Sequence, residues 1–144
     1  MSGIISLSEA SSIGLHACLL LARSEGRMLR TQQIAESLDV SAAHLSKVLQ
    51  RLGRAGLVEA VRGPRGGTRL ARPASEISLL EVYEAIDGRF SPSTCLLSRP
   101  ICEDGSCCLL GGLLQDLNGR IREHLSRTSL SEACNGVRNS VVTL

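Results

Sequence analysis

Hydrophobic positions recur along this chain at two spacings, and the change from one to the other outlines its architecture. In the stretch SAAHLSKVLQRLGRAGLVEAVRGPRGGTRLAR (41–72), Leu45, Val48, Leu49 and Leu52 stand at i, i+3, i+4 and i+7. That spacing gathers them into one apolar stripe on a helix. Lys47, Gln50, Arg51 and Arg54 fall on the opposite side. Ser41 precedes the stripe as an N-cap, because its hydroxyl can accept from an otherwise unpaired amide of the first turn. Gly56 is placed to end the helix. The period then drops to two. LVEAV (57–61) alternates like a strand with one buried face, GPRGG (63–67) is a turn cluster with Arg65 at its tip, and TRLAR (68–72) returns as a second strand. A helix with a polar-basic outer face followed by a hairpin with a basic tip predicts a winged helix-turn-helix. That shape suits DNA, since the helix fits the major groove and the wing reaches backbone or minor groove.

Upstream, residues 7–24 predict a first helix entered from Ser8 or Ser11. Its Ile13, Leu15, Leu19, Leu20 and Leu21 imply a largely buried element. His16 within it reads by default as core packing or an interface hydrogen bond, and Cys18 as a small buried hydrophobe. Thr31 opens the next helix, with Ile34, Ala35 and Leu38 facing inward, and Asp39–Val40 makes the short turn into Ser41. Downstream, Pro73–Ile77 is a connector and Ser78 caps a helix ending at Gly88, with Leu79, Val82, Tyr83 and Ile86 on one face. Residues 89–107 carry two prolines and no periodicity, so something must organise them. Leu110, Leu113, Leu114, Leu117, Ile121 and Leu125 then form a second helical stripe. SLSEAC (129–134) can add one more turn, and the last ten residues read as a frayed tail. A long amphipathic helix outside the compact domain most economically buries its stripe against a copy of itself, which predicts a symmetric homodimer. The expected organisation is mainly α (α+β): a winged helix-turn-helix over 1–88, a cysteine-rich loop over 89–108, a dimerisation helix over 109–134 and a flexible tail over 135–144.

Composition sharpens this picture in two places. The formal net charge of +2 is unevenly spread. Residues 1–75 hold ten Lys/Arg against five Asp/Glu, whereas 76–144 hold six against nine. The basic half is the half with the helix and wing, as phosphate binding requires. The six cysteines are the second point. The opening MSGIISLSEASS has no basic region or cleavage signal and CLLLA is too short to span a bilayer, so a soluble, cytoplasmic chain is expected. In a reducing cytoplasm, clustered cysteines point to metal or redox chemistry rather than to a disulfide frame. Cys95, Cys102, Cys107 and Cys108 lie within fourteen residues, while Cys18 and Cys134 stand alone. Thiolates are soft ligands suited to iron–sulfur clusters or zinc. Zinc sites usually use tighter C-x₂₋₄-C pairs than this loop offers. No nucleophile–base set is recognisable, and GPRGG lacks the lysine and following helix of a phosphate-binding loop, so an enzyme is not expected.

HLSKVLQRLGRAGLVEAVRGPRGGTRLAR together with ISLLEVYEAIDG strongly resembles the Rrf-two-type winged-helix transcriptional regulators (IscR/NsrR-like), over about Leu7 to Leu130. The resemblance implies a wing domain with a long dimerisation helix and sequence-specific transcriptional control, usually repression. It also implies an iron–sulfur cluster on three cysteines of the loop ahead of that helix. Here those are Cys95, Cys102 and Cys108, with Cys107 as runner-up, giving C-x₆-C-x₅-C or C-x₆-C-x₄-C where relatives often have x₅ in the first gap. The histidine that IscR-like members carry after the third cysteine matches Gly111. The acidic ligand of NsrR-like members aligns near Ser12, with Glu9 one turn earlier, and His16 matches a ligand position of some two-iron members. The fourth ligand thus stays open among His16, Ser12 and Glu9 of a partner subunit, and the cluster between 2Fe–2S and 4Fe–4S.

On the DNA side the resemblance maps the recognition helix onto Ser41–Gly53. It makes Ser41, Ala42, His44, Ser46, Lys47 and Arg51 the expected groove or phosphate contacts, with Arg62, Arg65 and Arg69 in the wing. Two other readings compete with the cluster sensor. One is a cluster-free regulator controlled by thiol oxidation or a partner protein. The other is a zinc-bound winged-helix module that docks protein.

Overall fold

The computed structural model describes residues 7–91, 95, 97, 101, 108–110 and 112–140, with side chains to residue 136. Among them the order is α1 (Glu9–Arg23), α2 (Thr31–Leu38), α3 (Ala42–Arg54), β1 (Val58–Val61), β2 (Gly67–Leu70), α4 (Leu79–Asp87), α5 (Leu113–Arg127) and α6 (Leu130–Ser140).

The first helix is capped by Ser8, whose hydroxyl accepts from the Ser11 amide at 3.0 Å. Its buried face is Ile13, Gly14, Ala17, Cys18 and Leu21. Leu15, Leu19 and Leu20 are only half-buried, so the helix is less enclosed than its leucine content implies. Ser11 is the odd member of the inner face: at 0% exposure its Oγ finds no hydrogen-bond partner among the described residues. An unsatisfied buried hydroxyl costs roughly 1–3 kcal/mol. Ser11→Ala should therefore leave stability unchanged or raise it by about 1 kcal/mol in urea unfolding. A loss of comparable size would mean that the hydroxyl is bonded in solution.

The helix-turn-helix forms as its periodicity dictates. Ile34 and Ala35 of α2 are buried, Asp39 makes the turn in the left-handed region (φ 53°), and the Ser41 hydroxyl accepts from the His44 amide at 3.1 Å. All four residues of the α3 stripe are buried, with Leu45 and Leu52 at 0% exposure. The helix stops at Ala55, with Gly56 in the left-handed region beyond it.

The wing is an antiparallel hairpin in which Val58 faces Leu70 and Glu59 faces Arg69. Strict alternation over 57–61 does not hold. Leu57 and Val58 are both buried, and Glu59, Ala60 and Val61 are all exposed. The strand leaves the core as it runs, so its base is covered on both sides and its tip on neither. The hairpin is steadied from its other edge, where Leu29 and Thr68 exchange backbone hydrogen bonds of 3.0 and 2.8 Å.

The single helix expected over 109–134 is instead two. α5 ends at Arg127, and Thr128 turns to an extended conformation. Ser129 then caps α6, exchanging bonds with Glu132 (Glu132 amide to Ser129 Oγ 3.2 Å, Ser129 amide to Glu132 Oε2 2.8 Å). Ser78 and Glu81 form the same box at the start of α4. The two boxes lie side by side, bridged by Leu79 N–Thr128 O (3.0 Å) and Leu130 N–Ile77 O (2.9 Å). Two caps in register thus return the chain to the wing domain. Leu130 enters the main core at 0% exposure, and Cys134 packs on α1 with its thiol 3.7 Å from the Leu19 carbonyl. α6 continues to Ser140, into the segment expected as tail. Among the described residues no helix is long and apolar enough to cross a membrane.

Candidate nucleic-acid interface and cysteine loop

Burying Leu45, Val48, Leu49 and Leu52 turns the other side of α3 outward. Lys47 and Gln50 are exposed, and Ala42, His44 and Ser46 are half-buried along the first turns. Ser41 is exposed and its oxygen is used as the cap, which leaves its hydroxyl proton free to donate. Between α3 and the wing runs a cleft of about 310 Å³ lined by Thr31, Ser46, Gln50, Ala60 and Arg62, among others. A second hollow, about 440 Å³, lies between the start of α2 and the wing turn. There Arg30 Nη2 donates to the Pro64 carbonyl at 2.8 Å, tying the wing tip to the helix-turn-helix. Thr31, Gln50 and Arg30 belong to this surface although none of them is among the expected contacts. Gln50 was within reach of it, standing one turn beyond Ser46 on the same face.

The expected arginines divide into two sets. Arg62 and Arg65 are exposed on the wing. Arg69 is ion-paired with Glu59, its cross-strand neighbour. Arg51, expected in the groove, donates from Nη1 to the Ile86 carbonyl of α4 at 3.1 Å. The structure thus places it on the α4 side of the recognition helix.

Of the cluster candidates, Cys95 and Cys108 are half-buried, and Cys95 Sγ accepts from the Leu97 amide at 3.4 Å. Cys102, Cys107 and Gly111 lie outside the described residues. Among the described residues no three potential ligands converge. The donor chemistry nevertheless fits a soft metal group, since two partly accessible thiols flank the loop that carries two more. Cys18 differs from these: it is fully buried, and desolvation pushes its thiol up to about 12, which keeps it inert.

Glu9, Ser12 and His16 line one hollow of about 300 Å³ beside Ile13, Leu38 and Val40. His16 is exposed rather than a core residue, and its Nδ1 lies 2.7 Å from the Ser12 carbonyl. A carbonyl only accepts, so the proton of the neutral ring sits on Nδ1 and the lone pair on Nε2.

Residues 7–136 match the Rrf2 family, described as an iron-dependent transcriptional regulator. The chain is 40% identical over 102 residues to the transcriptional regulator IscR of Photorhabdus laumondii, a match covering 71% of this chain and 62% of that one. It thus spans less than two thirds of that relative's length. Among solved structures, CymR of B. subtilis, titled a global cysteine regulator, superposes with a TM-score of 0.76 at 23% identity, covering 91% of this chain and 97% of that one. IscR of T. potens gives 0.73 at 22% identity, covering 97% and 93%. These likenesses carry the winged-helix fold, and the family is one of transcriptional regulators rather than enzymes, in line with the sequence. The chain belongs to the Rrf2 family of transcriptional regulators.

Proposed function

We propose that the protein is a homodimeric, sequence-specific DNA-binding regulator whose affinity for its operator is set by an iron–sulfur cluster on Cys95, Cys102 and Cys108. The observation that carries the DNA reading is the cleft between α3 and the wing, with Ser46 and Gln50 on one wall and Arg62 on the other. A recognition helix in the major groove brings the exposed Arg62 and Arg65 to the backbone beside it. Ser41, Ala42, His44, Ser46 and Lys47 line the helix side of this interface. Arg69, held by Glu59, serves the wing's shape first, and Arg51, exposed but bonded to the Ile86 carbonyl, is assigned to the mounting of α3 rather than to the contact set.

Residues 1–88 form the DNA-binding unit, 89–108 the cluster loop, and α5 the dimerisation helix. Leu114 and Leu125 of α5 are buried within the single chain, but Leu113 is 51% and Leu109, just before the helix, 88% exposed, and these two support the last assignment. α6 belongs with the wing domain through Leu130. The fourth ligand comes from the hollow that gathers Glu9, Ser12 and His16 on the partner subunit, and His16 is favoured by its free Nε2. When bound, such a cluster supplies an iron that oxygen, nitric oxide or a change of redox state can alter. The partial accessibility of Cys95 and Cys108 supports a second reading as well, a cluster-free regulator answering to thiol oxidation.

The deciding experiment is an absorption spectrum, with iron and sulfide assays, of protein purified without oxygen beside a Cys102→Ala variant. Visible charge-transfer bands that are lost in the variant are expected. A colourless protein that cannot be reconstituted moves sensing to the thiols, and stoichiometric zinc without salt-sensitive DNA binding would favour a docking module. The wing is tested separately, by binding titrations over a salt series on a duplex selected from a random library. Arg65→Ala should lower the slope of log affinity against log salt by about one. An unchanged slope and affinity would remove Arg65 from the interface.

A further inference from the structure

We propose that Arg51 is a positioning residue, a strut that fixes the recognition helix against the C-terminal end of α4 and touches no DNA. The proposal rests on the DNA-binding reading and deepens it. α3 is held to the core by Leu45, Val48, Leu49 and Leu52, all apolar. Apolar contact is non-directional and leaves a helix some freedom to roll about its axis. A hydrogen bond is directional and does not. Arg51 supplies one at 3.1 Å, to the carbonyl of Ile86.

The acceptor is well chosen. Ile86 is the penultimate residue of α4, so its carbonyl is among the last four that lack an intrahelical partner. A cation there also meets the negative end of the helix dipole. The same helix end is a mount for other parts of the chain. The Ser8 hydroxyl at the start of α1 donates to Asp87 Oδ1 at 2.7 Å. The Phe90 amide donates to Glu84 Oε1 at 2.9 Å, and the Phe90 ring meets Tyr83 edge-on at 5.5 Å. The chain that leaves α4 towards Cys95 is therefore fastened to the helix end that steers α3. Beside the shared apolar core, Arg51 gives α3 a directional link to the helix end on which residues 88–90 are mounted.

The test compares Arg51→Met, which keeps an apolar stem and loses both charge and donors, with Arg51→Lys, which keeps the charge and N–H donors on one nitrogen. Each is titrated beside wild type over a salt series, on a duplex selected by wild type and on a shuffled duplex. Arg51→Met should lose on the order of tenfold in affinity for the selected duplex, the discrimination of about one misplaced base contact. Its affinity for the shuffled duplex and both salt slopes should stay at wild-type values, and Arg51→Lys should recover most of the loss. Amide exchange over 49–54 should rise in the Met variant alone.

A slope lower by about one, with weaker binding to both duplexes, would make Arg51 a phosphate contact and overturn the proposal. So would unchanged affinity for both duplexes. A Met variant that no longer melts cooperatively would also overturn it, because Arg51 would then be needed by the fold itself. Wild type that selects no duplex at all would instead reject the DNA reading, and the strut with it.

Discussion

Gly14→Ala destabilises the protein by up to about 2 kcal/mol, although the same change in an open helix would stabilise it by about 1 kcal/mol. Gly14 lies on the buried face of α1, where α3 and α4 both close on it. A methyl group there would run into Ile86 Cδ1 and stand 3.3 Å from Val48 Cγ1 on the other side. Overpacking of this kind costs roughly 1–3 kcal/mol, which exceeds the propensity gain. The colliding atom belongs to a side chain, so the argument has a sharp corollary. Ile86→Val removes that methyl and alone should cost about 1 kcal/mol. In the Gly14→Ala background it should cost nothing or restore stability, a coupling of about 1–2 kcal/mol in a double-mutant cycle by urea unfolding. Additive effects of the two changes would mean that α1 and α4 do not meet at Gly14.

Local signals carried most of this fold. Four apolar positions at helical spacing named the buried face of α3, and the Ser78 cap, an apolar face and Gly88 located α4, because both depend on neighbours within a few turns. What failed depended on distant residues. The break at Thr128 was announced by Ser129 and Glu132, the same pattern as Ser78 and Glu81. The leucine stripe running up to it suggested continuity, and only the pairing of the two caps decides that the chain turns there. Leu57 and Val58 share burial because the strand departs from the core at an angle, which a period of two does not encode.

The candidate site divides along the same line. That Lys47 and Gln50 face outward follows from the stripe beneath them. Periodicity puts Arg51 on that wet side as well, and its acceptor lies 35 residues away on another helix. Nothing local distinguishes an arginine aimed at phosphate from one aimed at a helix end. His16 presents the converse case. Its helical setting suggested the core, yet the buried face of α1 runs along Ile13, Gly14, Ala17, Cys18 and Leu21, and His16 stands off it.

Gly66→Ala should abolish most specific DNA binding while leaving the core intact. A Cβ at Gly66 would run into the backbone of Val61 and Arg62, the Val61 carbonyl oxygen first and the Arg62 carbonyl carbon at 2.9 Å. Backbone has no rotamer to change, so the turn that Gly66 N closes onto Gly63 O at 3.0 Å must open. Gly67 beside it is equally confined, its Cβ position 2.7 Å from the Leu29 carbonyl oxygen, so the strain cannot be passed down the strand. The wing tip then swings away with Arg62 and Arg65, both exposed and both placed at the DNA backbone by the proposed docking. Two lost phosphate contacts lower the salt slope by about two and the affinity on the order of a hundredfold at moderate salt. Stability should fall far less, since the buried base of the hairpin, Leu57, Val58 and Thr68, lies beyond the turn. Gly63→Ala is the control: its φ of 114° makes alanine strained there, but the space around it is open. It should cost about 1–3 kcal/mol in stability with a smaller effect on the slope. A Gly66→Ala protein with wild-type slope and affinity would mean that the wing tip does not touch DNA.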